Sequence, residues 1–162
     1  MLHSVYLSLG SNIRPQENIP RALQQLSGQL SLLETSSAWH TKAIGTTGPD
    51  FVNMAVHIQT ELSLYALKDD VLCKIEEGLG RVRTDNKYAP RPIDIDITLF
   101  DGEVIDSNLN HLDYLILPLS ELLPDFSPTP GGITMQELAT SVRTESLAVQ
   151  LPHFPDFRIS VS

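Results

Sequence analysis

The sequence predicts an α+β fold in which a mostly antiparallel sheet carries its helices packed on one face. The predicted elements follow the order strand–helix–strand–strand–helix–strand, which is the split βαβ plan. The second and third strands are separated by a loop too short for a crossover helix, so they are expected to run antiparallel. The chain has 162 residues, and we expect residues 1–162 to form one domain with a substantial core.

The first predicted strand and helix are separated by a small polar turn. Residues 3–9 alternate between apolar and polar positions, and Gly10-Ser11-Asn12 predicts the turn that ends this strand. Pro15 suits the first turn of a helix, and an apolar stripe at helical spacing then runs to Gly28. Residues 30–41 predict the second strand.

A loop and the third strand lead into the second predicted helix. Residues 42–50 contain two glycines and a proline, which predicts a loop, and residues 51–62 alternate as a third strand. Ser63 is a preferred N-cap residue for the helix that follows, which is expected to end at Gly78 and Gly80.

The second half of the chain predicts a fourth strand, a hairpin and two helices. Residues 93–101 form a β-branched run, and Asp101-Gly102 predicts a hairpin turn into a short fifth strand near residues 104–105. Residues 115–123 are apolar and predict a short helix. Residues 134–149 predict a final helix that begins with a capping box.

Composition and charge exclude several classes of partner. The formal net charge is −9, which disfavours nucleic acids and anionic membrane surfaces as partners. No segment is long and apolar enough to cross a bilayer, and the N-terminus lacks the pattern of a signal peptide. The single cysteine, Cys73, suits a reducing compartment. We therefore expect a cytoplasmic protein, a monomer or weak oligomer, that acts on small molecules.

The turn that leads into the fourth strand carries the strongest chemical signal. Pro90 and Pro92 restrict the backbone on either side of Arg91. Asp94 and Asp96 then follow two residues apart, which places both carboxylates on one face of the strand at a spacing of about 7 Å. Two carboxylates on an apolar strand repel each other and cost desolvation. A cation is therefore expected between them, and a pair of divalent metal ions is the natural candidate.

Short motifs spread along most of the chain carry a resemblance to one family. In chain order they are Y-L-S-L-G-S-N at 6–12, F-V-N-M-A at 51–55, I-E at 75–76, G-R-V-R at 80–83, R-P-I-D-I-D-I at 91–97, L-P-L at 117–119 and E-L-L-P at 121–124. Together they resemble the 6-hydroxymethyl-7,8-dihydropterin pyrophosphokinases of folate biosynthesis. The fold that this resemblance implies is a ferredoxin-like α+β sandwich.

The resemblance also implies an activity and its cofactors. The family transfers pyrophosphate from ATP to the hydroxymethyl oxygen of a reduced pterin and releases AMP. Two Mg²⁺ ions are implied, which orient the phosphates and stabilise their charge. Because Mg²⁺ keeps several water or phosphate oxygens, two aspartates are a sufficient contribution from the protein.

The resemblance assigns roles to particular side chains. Asp94 and Asp96 are the implied metal ligands, and Arg81, Arg91 and Asp96 are the implied catalytic residues. The implied nucleotide-binding residues are Glu76, Arg81, Arg83, Arg91, Ile97 and His111. The implied pterin-binding residues are Thr41, Ile44, Phe51, Asn53, Tyr88, Asp94 and Tyr114. Structural roles are expected for the remaining candidates, which are the turn at residues 10–12, Trp39, His40, His57 and Cys73.

The chain departs from the family pattern in two loops. No lysine or arginine occurs between Arg91 and Arg143, where the family has a longer loop with an arginine and a histidine–tyrosine pair. Lys42-Ala43 stands where the family has paired prolines, and Lys42 is a possible substitute for the missing arginine. A shortened loop predicts weaker ATP binding and slower turnover, because a closing lid adds positive charge and excludes water.

These departures leave alternatives open. The chain is alternatively a divergent paralogue that binds a pterin with little or no transfer, or one that uses a related pterin alcohol. A third alternative is an interaction module in which the motifs are relics. The D-x-D-x-T pattern at 94–98 also occurs in haloacid-dehalogenase-like phosphatases, but there an apolar strand precedes the first aspartate, whereas here a Pro/Arg turn does.

Overall fold

The computed structural model describes residues 1–43, 48–86, 89–152 and 154. Within them, seven strands form one sheet in the order β6-β5-β1-β4-β3-β7, and β2 pairs with β4 beside β3. Every strand pair is antiparallel. The strands are β1 (His3–Ser11), β2 (Ser31–Thr35), β3 (Ala38–Thr41), β4 (Phe51–Thr60), β5 (Asp94–Phe100), β6 (Glu103–Val104) and β7 (Val149–Leu151).

The helices follow the predicted order around this sheet. They are α1 (Pro15–Gln29), α2 (Leu64–Ala66), which continues through a π-helical segment (Leu67–Leu72) into α3 (Cys73–Gly78), then α4 (Asp113–Leu122) and α5 (Met135–Arg143). The central order β5-β1-β4-β3 with α1 and α2–α3 as the connections is the ferredoxin-like arrangement, so the predicted fold class is confirmed. Within the described residues, none of the helices combines the length and apolarity that spanning a membrane requires.

Helices cover both faces of the sheet, so the prediction that they pack on one face is wrong. Leu7, Leu9 and Val56 point to one side and pack with α1, α2 and α3. Ala55 and Leu99 point to the other side and pack with α4 and α5. The reason lies in β4, which is buried at successive positions and not only at alternate ones, so its two faces both need an apolar cover.

Several local predictions are confirmed by specific hydrogen bonds. The Ser63 hydroxyl accepts from the Ala66 amide at 3.2 Å as the N-cap of α2. Thr134 and Glu137 form the predicted capping box at the start of α5. Asp101 and Gly102 have φ values of 50° and 81°, as the predicted hairpin turn between β5 and β6 requires.

The predicted second strand is interrupted in the structure. Residues 36–37 separate β2 from β3, and both strands pair with β4. The Ser36 hydroxyl accepts from the Ala55 amide at 2.8 Å, while the Ser36 amide donates to the Ala55 carbonyl at 2.9 Å. Side-chain bonding at Ser36 thus replaces part of the regular ladder, which a propensity argument does not detect.

The predicted final helix is too long. Helix α5 ends at Arg143, and residues 149–151 form β7 against the outer edge of β3. A helix over 134–149 was inferred from local pattern alone. The exposed edge of β3 offers unpaired backbone groups, and pairing with the tail satisfies them.

Trp39 and His57 have structural partners, as predicted. The Trp39 indole donates to Glu121 at 2.7 Å, which ties β3 to α4. The His57 ring stacks on Tyr6 with ring centroids 4.2 Å apart and is hydrogen-bonded to the Ser4 hydroxyl at 2.8 Å. Burial lowers the pKa of His57 from its ordinary value, so the ring is neutral at pH 7.

Candidate functional site

A cavity of about 440 Å³ opens on the α4–α5 side of the sheet, where β1 and β3 end and β4 and β5 begin. Its floor is made by residues two apart on neighbouring strands, which therefore share one face. Its rim is made by the end of β3, the turn before β5 and the segment that leads into α4. The floor residues are Ser8 and Gly10 of β1, Phe51 and Asn53 of β4, and Asp94 and Asp96 of β5.

Strand register sets the spacing of the floor. Gly10 pairs with Asn53 on one side and with Asp94 on the other, so these three residues lie in one row across the sheet. A Cβ at Gly10 would lie 2.7 Å from the Asn53 side-chain oxygen, which is closer than real Cβ atoms approach. The absence of a side chain at Gly10 therefore lets the Asn53 side-chain oxygen lie directly over the Gly10 backbone.

Asn53 and Thr41, both predicted to bind the pterin, form one buried polar unit. Asn53 is 5% exposed and Thr41 is 2% exposed. The Asn53 amide nitrogen donates to the Thr41 hydroxyl at 2.6 Å. Because both groups line the cavity, this bond fixes the plane of the Asn53 amide and the direction in which its oxygen accepts.

Arginine side chains neutralise Asp94. Arg81 donates to Asp94 at 2.6 Å, and Arg91 donates to its other oxygen at 3.1 Å. Asp94 is thus paired with two guanidinium groups, and the divalent metal ions expected beside the two strand carboxylates stay a prediction. Arg81 lies behind Asp94 and away from the cavity wall, whereas Arg91 lines the cavity.

Glu76 anchors this arrangement from α3. It is only 3% exposed, so it is a buried carboxylate and not a solvated residue at the end of a helix. Its carboxylate accepts from Arg81, from Arg83 at 3.2 Å and from the Ile95 amide at 3.0 Å. Burial raises the pKa of Glu76, while the Ile95 amide and the Arg81 guanidinium oppose that shift.

Asp96 is compensated less fully, because the charge of Arg81 is the smallest of the influences on its pKa. Its side chain opens into the cavity and makes no hydrogen bond or ion pair with any residue that the structure describes. The Asp96 side chain is exposed within the open cavity, but the surrounding walls remove part of its hydration, and the carboxylates of Asp94, Glu76 and Asp106 repel its charge. Together they raise the pKa of Asp96 to about 7. A cation bound at Asp96 would relieve this repulsion.

The carboxylates of Asp94 and Asp96 suit Mg²⁺ only if water or phosphate oxygens supply the remaining metal ligands. No three histidine, cysteine, aspartate or glutamate side chains among the described residues are placed to hold a metal ion together. Mg²⁺ is commonly held by one or two carboxylates with water and substrate phosphates as the other ligands. Asp96 has no hydrogen-bond partner among the described residues and would be available for this role, whereas Asp94 is paired with Arg81 and Arg91.

Two aromatic side chains form walls of the cavity, as predicted. Phe51 and Tyr114 both line it, and the Arg91 guanidinium carbon lies 6.0 Å from the centre of the Phe51 ring. Burial raises the pKa of Tyr114, and the carboxylates of Asp106 and Asp96 raise it further. The phenol is therefore neutral and retains its proton as a hydrogen-bond donor.

Other predicted residues lie away from the cavity or outside the described residues. Arg83 is exposed beside Glu76, Ile97 packs in the core on the opposite face, and His111 is exposed on the segment before α4. Ile44 and Tyr88, both predicted as pterin-binding residues, lie outside the described residues, as does Lys87.

The structure adds residues that the sequence did not indicate. Ser8, Asp106, Asn108 and Leu112 all line the cavity. The position of Ser8 in the cavity could have been predicted from the sequence, because Ser8 lies two residues before Gly10 on the same face of the strand. The position of Asp106 and its neighbours depends on how the segment after β6 folds back, and no local pattern gives that.

Asn12 positions the Arg91 turn, which agrees with the predicted architectural role of residues 10–12. Its side-chain oxygen accepts from the Arg91 amide at 2.7 Å, and its own amide donates to the Arg91 carbonyl at 3.2 Å. The Asn12 side-chain nitrogen also donates to the Pro49 carbonyl at 3.3 Å. One buried asparagine thus holds two loops at the rim.

Comparison with known proteins gives one consistent result. The model of the 7,8-dihydro-6-hydroxymethylpterin-pyrophosphokinase (HPPK) family matches residues 6–124. The 2-amino-4-hydroxy-6-hydroxymethyldihydropteridine pyrophosphokinase of Haemophilus influenzae is 36% identical over 75% of this chain and 82% of its own. The protein of the same name from Methylorubrum extorquens is 35% identical over 82% of this chain and 89% of its own.

Solved structures show the same fold at low sequence identity. The crystal structure of Plasmodium falciparum HPPK-DHPS with pteroate matches 90% of this chain with a TM-score of 0.68 and 13% identity. The present chain spans 44% of that longer chain. At this identity the likeness supports the fold alone, and it agrees with the ferredoxin-like arrangement of the sheet.

Proposed function

Because the chain belongs to the 7,8-dihydro-6-hydroxymethylpterin-pyrophosphokinase family, we propose that it acts as a pterin pyrophosphokinase of folate synthesis. In this reaction ATP donates pyrophosphate to the hydroxymethyl group of 6-hydroxymethyl-7,8-dihydropterin, and AMP is released. The proposal includes action as a single domain, as a monomer or weak oligomer, in the cytoplasm.

One observation carries the proposal at the level of the site. The Asn53–Thr41 unit and the Asp94–Asp96 pair lie in the lining of one cavity, on either side of Gly10. The first unit suits the edge of a planar ring with donors and acceptors, and the second suits cations that bind phosphates. Transfer between a pterin and a polyphosphate needs both at adjoining positions.

At the pterin end, the proposed role of the chain is to hold the ring in one orientation. Asn53 both donates and accepts at the ring edge, and Thr41 keeps its amide fixed. Phe51 and Tyr114 contact the faces of the ring from two walls of the cavity. Ile44 and Tyr88 stay part of this proposal on the strength of the sequence motifs.

At the phosphate end, the proposed role of the chain is to hold charge in place. Mg²⁺, when bound at Asp94 and Asp96, neutralises the triphosphate and makes its β-phosphorus a better electrophile. Arg91 offers a planar pair of donors that matches phosphate oxygens. Arg81, held by Glu76, keeps Asp94 in position. Arg83 and His111 stay part of the proposed nucleotide side on the strength of the resemblance, as exposed residues outside the cavity lining, whereas the Ile97 side chain packs in the core on the opposite face.

The proposed chemistry is a single displacement. The hydroxymethyl oxygen forms a bond to the β-phosphorus and loses its proton, while the bond between the β-phosphorus and the oxygen bridging to the α-phosphate breaks. AMP leaves with that oxygen and the electron pair. The cavity favours this transfer over hydrolysis, because its aromatic walls exclude water from the β-phosphorus.

An AMP assay tests this function. We expect AMP to form from ATP only when both Mg²⁺ and 6-hydroxymethyl-7,8-dihydropterin are present, with the pterin diphosphate as the second product. A small panel of related pterin alcohols in the same assay identifies the preferred acceptor. Absence of AMP with every pterin alcohol, although the protein is folded, would contradict the proposal.

A second candidate, a protein that binds a pterin with little or no transfer, is favoured by one specific feature. The segment between β6 and α4 contributes Asp106, Asn108 and Leu112 to the cavity and has no basic residue. An aspartate there repels a triphosphate instead of attracting it. Calorimetry that detects pterin binding without AMP formation would support this candidate over the first.

Gly10→Ala tests the floor of the cavity. The new Cβ meets the Asn53 side-chain oxygen at 2.7 Å and must displace that amide from its place beside Thr41. We expect pterin affinity to fall by about tenfold or more, since the loss of one ligand hydrogen bond with displacement of its partner costs 1.4 kcal/mol or more. Titration calorimetry with the pterin measures this change.

Gly28→Ala is the matched control for this substitution. Gly28 lies in α1, and a Cβ there meets nothing within 4 Å. It is expected to leave pterin affinity unchanged and to stabilise the helix by about 0.5–1 kcal/mol. Equal pterin affinities for Gly10→Ala and the unmodified protein would remove Asn53 from the proposed pterin site.

A further inference from the structure

We propose that Lys42 is a phosphate-binding residue of this chain, which acts on the polyphosphate from the wall opposite the segment that lost its basic residues. This inference rests on the proposed function, because it assigns a contact within that same site. Lys42 lines the cavity and carries a positive charge that the family motifs do not supply at this position.

The charge balance of the cavity motivates the proposal. Three carboxylates line it, those of Asp94, Asp96 and Asp106. The basic side chains that line it, among the described residues, are Arg91 and Lys42. Arg81 is close by but is held between Glu76 and Asp94. A triphosphate carries several negative charges, and Arg91 already donates to Asp94, so Arg91 alone beside three carboxylates is a weak site for it.

Lys42 and Arg91 both lie in the part of the cavity lining that contains Phe51. Thr41 is the strand partner of Phe51, so Lys42 follows directly beside that ring. The Arg91 guanidinium carbon lies 6.0 Å from the centre of the same ring on the cavity side. Both basic residues therefore line the cavity near Phe51. A phosphate chain attached next to the pterin, which Phe51 contacts in the proposed function, is within the reach that we propose for both side chains.

Lys42 has a fixed backbone position and an exposed side chain that can adopt several rotamers. Its neighbour Thr41 is fully enclosed and hydrogen-bonded to Asn53, which holds the chain in place at this point. The Lys42 side chain itself is 63% exposed. Its four-carbon stem is long enough to turn the ammonium group from the rim into the cavity.

Asp50 holds Lys42 at the rim in the absence of a ligand. The two side chains are 3.4 Å apart, and Asp50 also lies 3.4 Å from His40 and accepts from the Ala43 amide at 3.4 Å. An exposed ion pair of this kind contributes little stability. A polyphosphate with several charges therefore competes successfully with Asp50 for the ammonium group.

The ordinary explanation is that Lys42–Asp50 is a surface ion pair with no ligand. Lys74 provides the comparison, since its side chain is 69% exposed and lies 3.9 Å from Glu77 on α3, away from the cavity. If Lys42 contributes only to solubility and to a surface ion pair, replacing Lys42 and replacing Lys74 should have the same effect on the affinity for ATP.

The test compares Lys42→Ala, Lys42→Arg and Lys74→Ala with the unmodified protein. Binding of the non-transferable analogue α,β-methylene-ATP with Mg²⁺ is measured by calorimetry at low and at moderate salt. We expect Lys42→Ala to lower the affinity for the analogue by about tenfold. Lys42→Arg should retain most of the affinity, and Lys74→Ala should leave it unchanged. We also expect a smaller salt dependence for Lys42→Ala, because one phosphate contact is lost.

The Michaelis constants locate the contact. In the AMP assay, Lys42→Ala should raise KM for ATP while KM for the pterin stays within about twofold, since uniform loss of a phosphate contact affects the ligand that carries the phosphates. Asp50→Asn releases the ammonium group and is expected to keep or slightly increase analogue affinity. Circular dichroism confirms the fold of each variant.

The outcomes distinguish a failure of the Lys42 proposal from a failure of the proposed pyrophosphate transfer. Equal analogue affinity in Lys42→Ala and the unmodified protein overturns the role of Lys42, whether or not AMP forms. An unmodified protein that binds the analogue but forms no AMP with any pterin alcohol contradicts the proposed transfer, and the Lys42 comparison still stands. An unmodified protein that does not bind the analogue contradicts both.

Discussion

Asp96→Asn is expected to reduce AMP formation by about 10²–10³-fold or more while the protein stays folded. Asp96 is the carboxylate that opens into the cavity without a compensating partner among the described residues. The amide is nearly the same size but has no charge, so it binds Mg²⁺ poorly. The rate is measured as AMP formation at saturating ATP and pterin.

The same substitution is expected to stabilise the fold above pH 7. Since burial and the neighbouring carboxylates raise the pKa of Asp96 to about 7, its ionised form is disfavoured in the folded state relative to the unfolded state. This penalty is absent below the ordinary aspartate pKa of about 4, grows as pH rises, and is complete above about 7. Thermal unfolding should therefore show a higher Tm for Asp96→Asn at pH 8 and no difference near pH 4.

Asp70→Asn is the matched control, because Asp70 is exposed on the π-helical segment and away from the cavity. It should change neither activity nor the pH profile of stability. An Asp96→Asn protein with full activity would remove the metal role of Asp96. A variant that loses activity but is destabilised at pH 8 would show that the charge of Asp96 is satisfied by a partner.

Arg81→Ala is expected to produce the largest loss of stability among the site residues. Arg81 joins the buried Glu76 to Asp94, and its removal leaves Glu76 with Arg83, which is mostly exposed. Breaking a buried ion pair by removal of one partner typically costs about 3–5 kcal/mol, because the other charge remains buried. For a chain of this size that lowers Tm by about 6–20 °C.

Urea unfolding measures this loss, and Arg83→Ala is the control. Arg83 contacts the same Glu76 from an exposed position, so its removal should cost about 1 kcal/mol or less. Activity of Arg81→Ala should fall as well, since Asp94 loses the partner that positions it. A stable Arg81→Ala protein with a large activity loss would instead favour direct contact of Arg81 with phosphate.

The sequence was most informative where local rules are strong. Proline, glycine and capping residues predicted the start of α1, the turn after β5 and the capping box of α5, because each rule involves neighbours within four residues. The alternation of β1 and the pair Asp94 and Asp96 likewise followed from strand geometry. The motifs gave the family, and the family model covers residues 6–124.

The sequence was misleading where distant contacts decide. The tail after α5 forms β7 because the edge of β3 is available to it. Helices cover both faces because β4 is buried on both. Neither fact is visible in a window of neighbouring residues, since each depends on what another part of the chain leaves uncovered.

By itself, then, the sequence determined the family and indicated the candidate site residues, namely the two aspartates, the arginine between prolines and the strand asparagine. Only the tertiary structure decided which of these charges are already paired. It joins Asp94 to Arg81 and Arg91, leaves Asp96 open to the cavity, and brings Asp106 and Lys42 to its walls. The physical reason is that pairing depends on distances between side chains far apart in sequence, and those distances exist only after the strands have found their register.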